Sequence, residues 1–286
     1  MDREIVLLIL ILVTVGPVTW MASLLWPMPR LPSRGSAGAE PAAWFSLWAP
    51  FVPAAAIVGA LVGWATFEPR NAEVVPLTLY PFAGATVYVC LRAIGRARRA
   101  LAVHDAAPAY THGLWRPRIV FSTDLVSHFS PIEFEAAQAH EQAHVRHRDP
   151  LRLWVAQLWT DLQWPHRSAE QRFRAWRHAL ELARDDEARQ GGIDGADLAA
   201  AVIAAAQFGR RAAPGAVELG WGYSDAAAFR QRINRLLAPL DVSPDPSVTG
   251  TSRVWLPLAI ATAVLMITAG EALGERVVGV VCRTLP

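Results

Sequence analysis

The sequence predicts a mainly helical protein: a multi-pass transmembrane helical bundle with a mostly helical polar domain inserted between its third and fourth spans. Three observations carry this expectation. Long uncharged apolar stretches recur along the chain, capped helices follow one another through its polar middle, and residues 140–144 read His-Glu-Gln-Ala-His.

The spans come first. A 53% hydrophobic content and a positive mean hydropathy exceed those of an ordinary soluble domain. Residues 5–26, 42–66 and 74–91 are uncharged, and each has about 18 residues or more, the length that crosses a hydrocarbon core near 30 Å thick. A fourth stretch, 254–270, is shorter and meets Glu271, yet it is too apolar to be buried by the polar segment that remains. The first stretch is read as an uncleaved span rather than a signal peptide, because Asp2, Arg3 and Glu4 give no net positive start and the apolar run is too long. The expected organisation is therefore 1–100 as three transmembrane helices, 101–253 as the polar domain, and 254–286 as a fourth span and tail.

Every basic residue is arginine, and the arginines set the orientation. Arg92, Arg96, Arg98 and Arg99 crowd the exit of the third span, and Arg30 and Arg34 lie between the first and second. Between the second and third spans Arg70 stands alone beside Glu68 and Glu73. The positive-inside rule then places the N-terminus outside and residues 92–253 in the cytoplasm, with the chain in the cell (inner) membrane. These arginines explain the net charge of +2, so the lipid bilayer is an expected partner and nucleic acid is not. Cys90 and Cys282 fall on opposite sides of this arrangement and are read as separate thiols.

The motif helix is well marked. Ser130-Pro131-Ile132-Glu133 forms a capping box with proline at the first helical position, and Pro150 ends the helix after Asp149. Helices are expected at 131–148, 151–163, 167–190, 197–208 and 225–237, separated by Gly/Pro turns. Arg118 to Ser122 is the plausible strand. Its residues Ile119, Val120 and Phe121 are read as an edge that could take a peptide as an added strand, and equally as a short buried connector.

His140 and His144 are four apart, so both imidazoles project from one helical face toward a single Zn²⁺, and Glu141 between them can act as general base on water. With eight histidines in the chain, a His-Glu-x-x-His string arises by chance only about 0.01 times. A catalytic zinc needs a third protein ligand. Glu181 is the candidate, with Asp185 one turn on to accept the other N–H of a ligating histidine. Spacing alone serves equally well for a charged, solvated helix face. A di-iron bundle would need a second Glu-x-x-His, which the sequence lacks.

The run from His140 to Asp149, then Trp164-Pro165, then Glu181-x-x-x-Asp185 resembles the membrane zinc peptidases of the BlaR/MecR type. The resemblance extends upstream to Gly113–Phe121 and downstream to Phe229-Arg-Gln-Arg-Ile233-Asn-Arg-Leu-Leu237. It implies a gluzincin-like peptidase domain with His140, His144 and Glu181 as zinc ligands, Glu141 as general base, and Asp185 and Asp149 as supporting acids. It also implies peptide or protein substrates, among them a cytoplasmic transcriptional repressor or the chain itself. Two positions depart from the family: Arg184, where cysteine is frequent, and Gln142, where an apolar residue is frequent. Few residues follow Glu271, so no antibiotic-sensing domain is expected there. The competing readings are a quality-control or processing protease of the HtpX or prenyl-protein type, and a signalling scaffold without turnover.

Overall fold

The computed structural model describes residues 3–28, 39–67, 77–102, 109–212 and 226–240. Its first part is apolar helix. α1 (Arg3–Leu25) packs against both α3 (Val52–Phe67) and α4 (Tyr80–Ala102). Stretches long and apolar enough to cross a membrane run Ile5–Leu25, Ala39–Gly63 and Leu77–Arg99. The α1–α4 crossing is built on small residues: Thr86 Oγ1 donates to the Leu12 carbonyl at 2.7 Å, and a Cβ on Gly16 would collide with Thr86. The expected fourth span, 254–270, lies outside the described residues, as does Cys282.

The second stretch, expected as a span at 42–66, runs as a candidate span over Ala39–Gly63 with a break inside it. It is divided into α2 (Ala39–Trp48), a 3-10 turn at Ala49–Phe51, and α3. Pro50 sits at the start of that turn and has no N–H to continue the ladder of α2. Ahead of the break, α2 enters the polar half of the molecule: Ala39, Ala43 and Leu47 are buried against Ala156, Trp176, Ala179 and Leu180.

The polar half begins with an antiparallel hairpin of β1 (Ala109–His112) and β2 (Arg118–Phe121), in which Thr111 pairs with Ile119. Only Arg118 to Phe121 was legible as a strand; β1 is too short and polar to show a two-residue period. Gly113 turns the hairpin at φ 94°, where a Cβ would stand 2.8 Å from the Arg116 carbonyl. Helices follow: α5 (Thr123–His128), α6 (Pro131–His147), α7 (Asp149–Leu162), α8 (Arg167–Gln190), α9 (Gly195–Ala212) and α10 (Ala226–Leu237). The capping box is formed, with the Glu133 carboxylate accepting from Ser130 N at 2.7 Å and Ser130 Oγ from Glu133 N at 3.3 Å.

The motif helix ends at His147, one residue short of the expected 131–148. Arg148 takes a left-handed conformation (φ 51°), and Asp149-Pro150 opens the next helix. Pro150 therefore starts α7, where its missing N–H costs nothing. The core of this half lies between α5, α6, α8, α9 and α10, around Leu125, Ala136, Ala137, Leu198, Val202 and Leu236.

Three helix ends meet α7 and α8 on one side. At the end of α1, Arg172 donates to the Ser23 carbonyl at 3.1 Å and to Ser23 Oγ at 2.6 Å. At the start of α2, Trp176 Nε1 donates to Glu40 at 2.8 Å. At the end of α4, Arg96 Nε lies 3.0 Å from Asp161, and Trp154 Nε1 donates to the Ala97 carbonyl at 3.2 Å.

Candidate metal centre

α6 and α8 bring the centre together. The small residues Ala136, Ala137 and Ala143 are fully buried, which lets neighbouring helices approach the face that carries His140 and His144. The two Nε2 atoms stand 3.1 Å apart. Glu181, one turn into the second half of α8, closes the group: Oε2 is 3.4 Å from His140 Nε2 and Oε1 is 3.8 Å from His144 Nε2. All three ligand atoms lie within 4.8 Å of one another.

These distances suit a metal ion. Two ligands at about 2.05 Å from a tetrahedral ion stand about 3.3 Å apart. The edge between the histidines, at 3.1 Å, is close to that value, and those of 3.4 and 3.8 Å run to different oxygens of the Glu181 carboxylate. The donor set fits as well, since two imidazoles and one carboxylate leave a fourth position open.

Each histidine is backed by an acid, and each acid by an arginine. His144 Nδ1 is 2.9 Å from Asp149 Oδ2, and Asp149 receives Arg184 at 2.6 and 3.3 Å and Arg152 at 3.2 Å. His140 Nδ1 is 2.9 Å from Asp185 Oδ1, and Asp185 receives Arg232 through two contacts of 2.6 Å. An ionised carboxylate only accepts, so each Nδ1 carries a proton, and when the ring is neutral its Nε2 is the acceptor that faces the shared point. The left-handed Arg148 makes this possible for His144, because it reverses the chain within one residue and folds Asp149 back onto the helix just completed.

The charges follow the geometry. Burial opposes ionisation of Glu181, but Arg232 and then His140 and His144 hold it well below the usual carboxylate range. Asp185 is lowered in the same way, Arg232 and His140 outweighing burial. For Asp149, His144 and Arg184 outweigh burial. His140 moves oppositely: burial disfavours its charge, yet Asp185 and Glu181 raise it to about 9. His178, buried one turn before Glu181, is lowered by burial, an effect that a hydrogen bond to Gln231 partly offsets.

Glu141 is 4% exposed and points to the hairpin, where Thr111 Oγ1 donates to its Oε2 at 2.7 Å. The structure thus gathers His140, Glu141, His144, Asp149, Glu181 and Asp185 at one place. Ile119, Val120 and Phe121 lie one strand further out. Ile119 reaches the centre only through its partner Thr111, Val120 is exposed, and the Phe121 ring packs on Phe134 at 5.3 Å. His147 pairs with Glu187 at 2.9 Å, away from the centre.

Four contributors escaped the sequence reading, among them Arg152, which donates to Asp149. Arg232 lies within the Arg-Ile stretch of α10, Arg184 at the position noted only as a departure from the family, and Thr111 in the strand not foreseen.

A buried pair of histidines and a carboxylate that could hold a metal ion, with three candidate spans alongside, is what a membrane metallopeptidase would present. Residues 104–236, which hold all six of these side chains, match the family described as BlaR1 peptidase M56. Over that region, a little under half of the chain, the protein is similar to that family and consistent with a BlaR/MecR-type member. No curated protein and no solved structure matches it.

Proposed function

We propose that the protein is an integral membrane zinc endopeptidase of the BlaR/MecR type, with its peptidase region on the cytoplasmic side. The observation that carries this reading is the convergence of His140 Nε2, His144 Nε2 and a Glu181 oxygen within 4.8 Å, with Glu141 beside them. Zinc held by His140, His144 and Glu181 would supply Lewis acidity, lowering the pKa of water toward about 7 and polarising a scissile carbonyl.

The chain's own residues do the rest. Glu141, held by Thr111, takes a proton from the attacking water and delivers it to the leaving amine. Asp185 and Asp149 keep the two imidazoles in the tautomer that ligates. Ile119 to Phe121 are proposed as an edge that takes a peptide as an added strand. The side on which the ends of α1, α2 and α4 meet α7 and α8 is also the arginine-rich side, which supports the cytoplasmic placement. A cytoplasmic regulator is the substrate proposed, and the domain limits remain 1–100, 101–253 and 254–286, with α2 contributing to the peptidase core.

Metal content of the detergent-purified protein tests this reading. The wild type should hold about one zinc per chain, and His144→Ala and Glu181→Ala should lose or weaken it. Glu141→Gln should retain zinc and abolish cleavage. A well-folded wild type without zinc would remove the peptidase reading and favour a membrane scaffold.

A further inference from the structure

The following rests on the reading of His140, His144 and Glu181 as metal ligands. Arg232 of α10 is fully buried, and its guanidinium spans two carboxylates at once. Nε and Nη2 each stand 2.6 Å from an Asp185 oxygen, while Nη1 is 3.0 Å from Glu181 Oε2. Nη2 also lies 3.4 Å from His140 Nε2. A fixed cation so close to a metal site repels a divalent ion, so an arginine serving charge alone would weaken metal binding. Its geometry has another use.

We infer that Arg232 is a positioning residue for the metal centre: its planar fork pins Asp185 against His140 and engages one oxygen of Glu181, leaving the other for the ion. Glu181 is thereby made a one-oxygen ligand. The fork matters because five N–H donors in a fixed plane can hold both Asp185 oxygens and Glu181 together, whereas a lysine ammonium is a point charge that cannot. The other histidine has more redundant support, since Asp149 receives both Arg184 and Arg152.

The test uses the full chain in detergent, with Zn²⁺ affinity read by competition against a chromophoric chelator and coordination read from the visible spectrum of bound Co²⁺. Arg232→Lys and Arg232→Gln are compared with Arg235→Gln, which alters the same helix where it pairs with Asp186. Both Arg232 variants should bind zinc about 10- to 100-fold more weakly, the usual cost of losing a residue that orients metal ligands. Their Co²⁺ bands should weaken as Glu181 turns to offer both oxygens, because higher coordination absorbs less. Arg235→Gln should leave affinity and spectrum unchanged.

Arg232→Lys keeps charge and most of the volume, so the answer does not depend on the glutamine variant folding. Wild-type affinity in Arg232→Lys would show that charge suffices, and tighter binding in Arg232→Gln would show a merely repelling cation. An equal loss in Arg235→Gln would show that docking of α10 alone matters. Each of those results overturns the inference while the ligand assignment stands. A wild type that binds neither Zn²⁺ nor Co²⁺ removes the ligand assignment, and this inference with it.

Discussion

His140 carries the proton that metal and protein contend for. Asp185 and Glu181 raise its pKa to about 9, against an ordinary value of 6.5. In chelator-treated protein the charged ring is stabilising below pH 6.5, and that stability is lost as pH rises through about 9. Zinc requires the neutral ring, so its apparent affinity should rise over the same window. Melting temperature in chelator should therefore fall between pH 6.5 and 9 while zinc affinity climbs. Parallel trends in the two curves would contradict the assignment of this proton to His140.

Residue identity alone marked His140, Glu141 and His144, because their spacing on one helix fixes their geometry. Glu181 and Asp185 were legible only as a pair on a helix flank, equally suited to solvent. Arg232 is 92 positions from His140 and arrives through the packing of α10. Local pattern carries no information about that distance.

The helices themselves were readable where their ends are chemically marked. The Ser130–Glu133 box and Gly191-Gly192 set the limits of α6 and α8 within a residue or two of those expected. The exception is instructive: the motif helix yields at Arg148, where the cost of a left-handed backbone is accepted so that Asp149 can reach His144. The box itself should be replaceable without harm to the centre, which lies two to three turns further along. Ser130→Ala is expected to cost about 1 kcal/mol of stability, seen as a lower melting temperature, with metal content unchanged. Metal loss in that variant would mean that the start of α6 controls the site.

At the scale of the molecule, apolar content did not distinguish helix that faces lipid from helix that faces protein. Residues 39–48 are as apolar as a span, yet α2 packs onto α7 and α8 through Trp44, which lies 5.2 Å from Trp159 and 5.0 Å from Trp176. Removing α2 would bare that aromatic cluster. A fragment of residues 104–240 alone should consequently aggregate or stay bound to detergent, as size-exclusion chromatography would show. A monodisperse fragment in plain buffer would mean that the cluster closes by itself.

The two histidines are suspended from different parts of the chain. Behind His144 stand Asp149, Arg152 and Glu40, the last on α2 at the membrane-associated end of the molecule. Behind His140 stand Asp185 and Arg232, the latter on α10. The ligand triangle thus has one corner tied through its supports to α2 and another tied to α10.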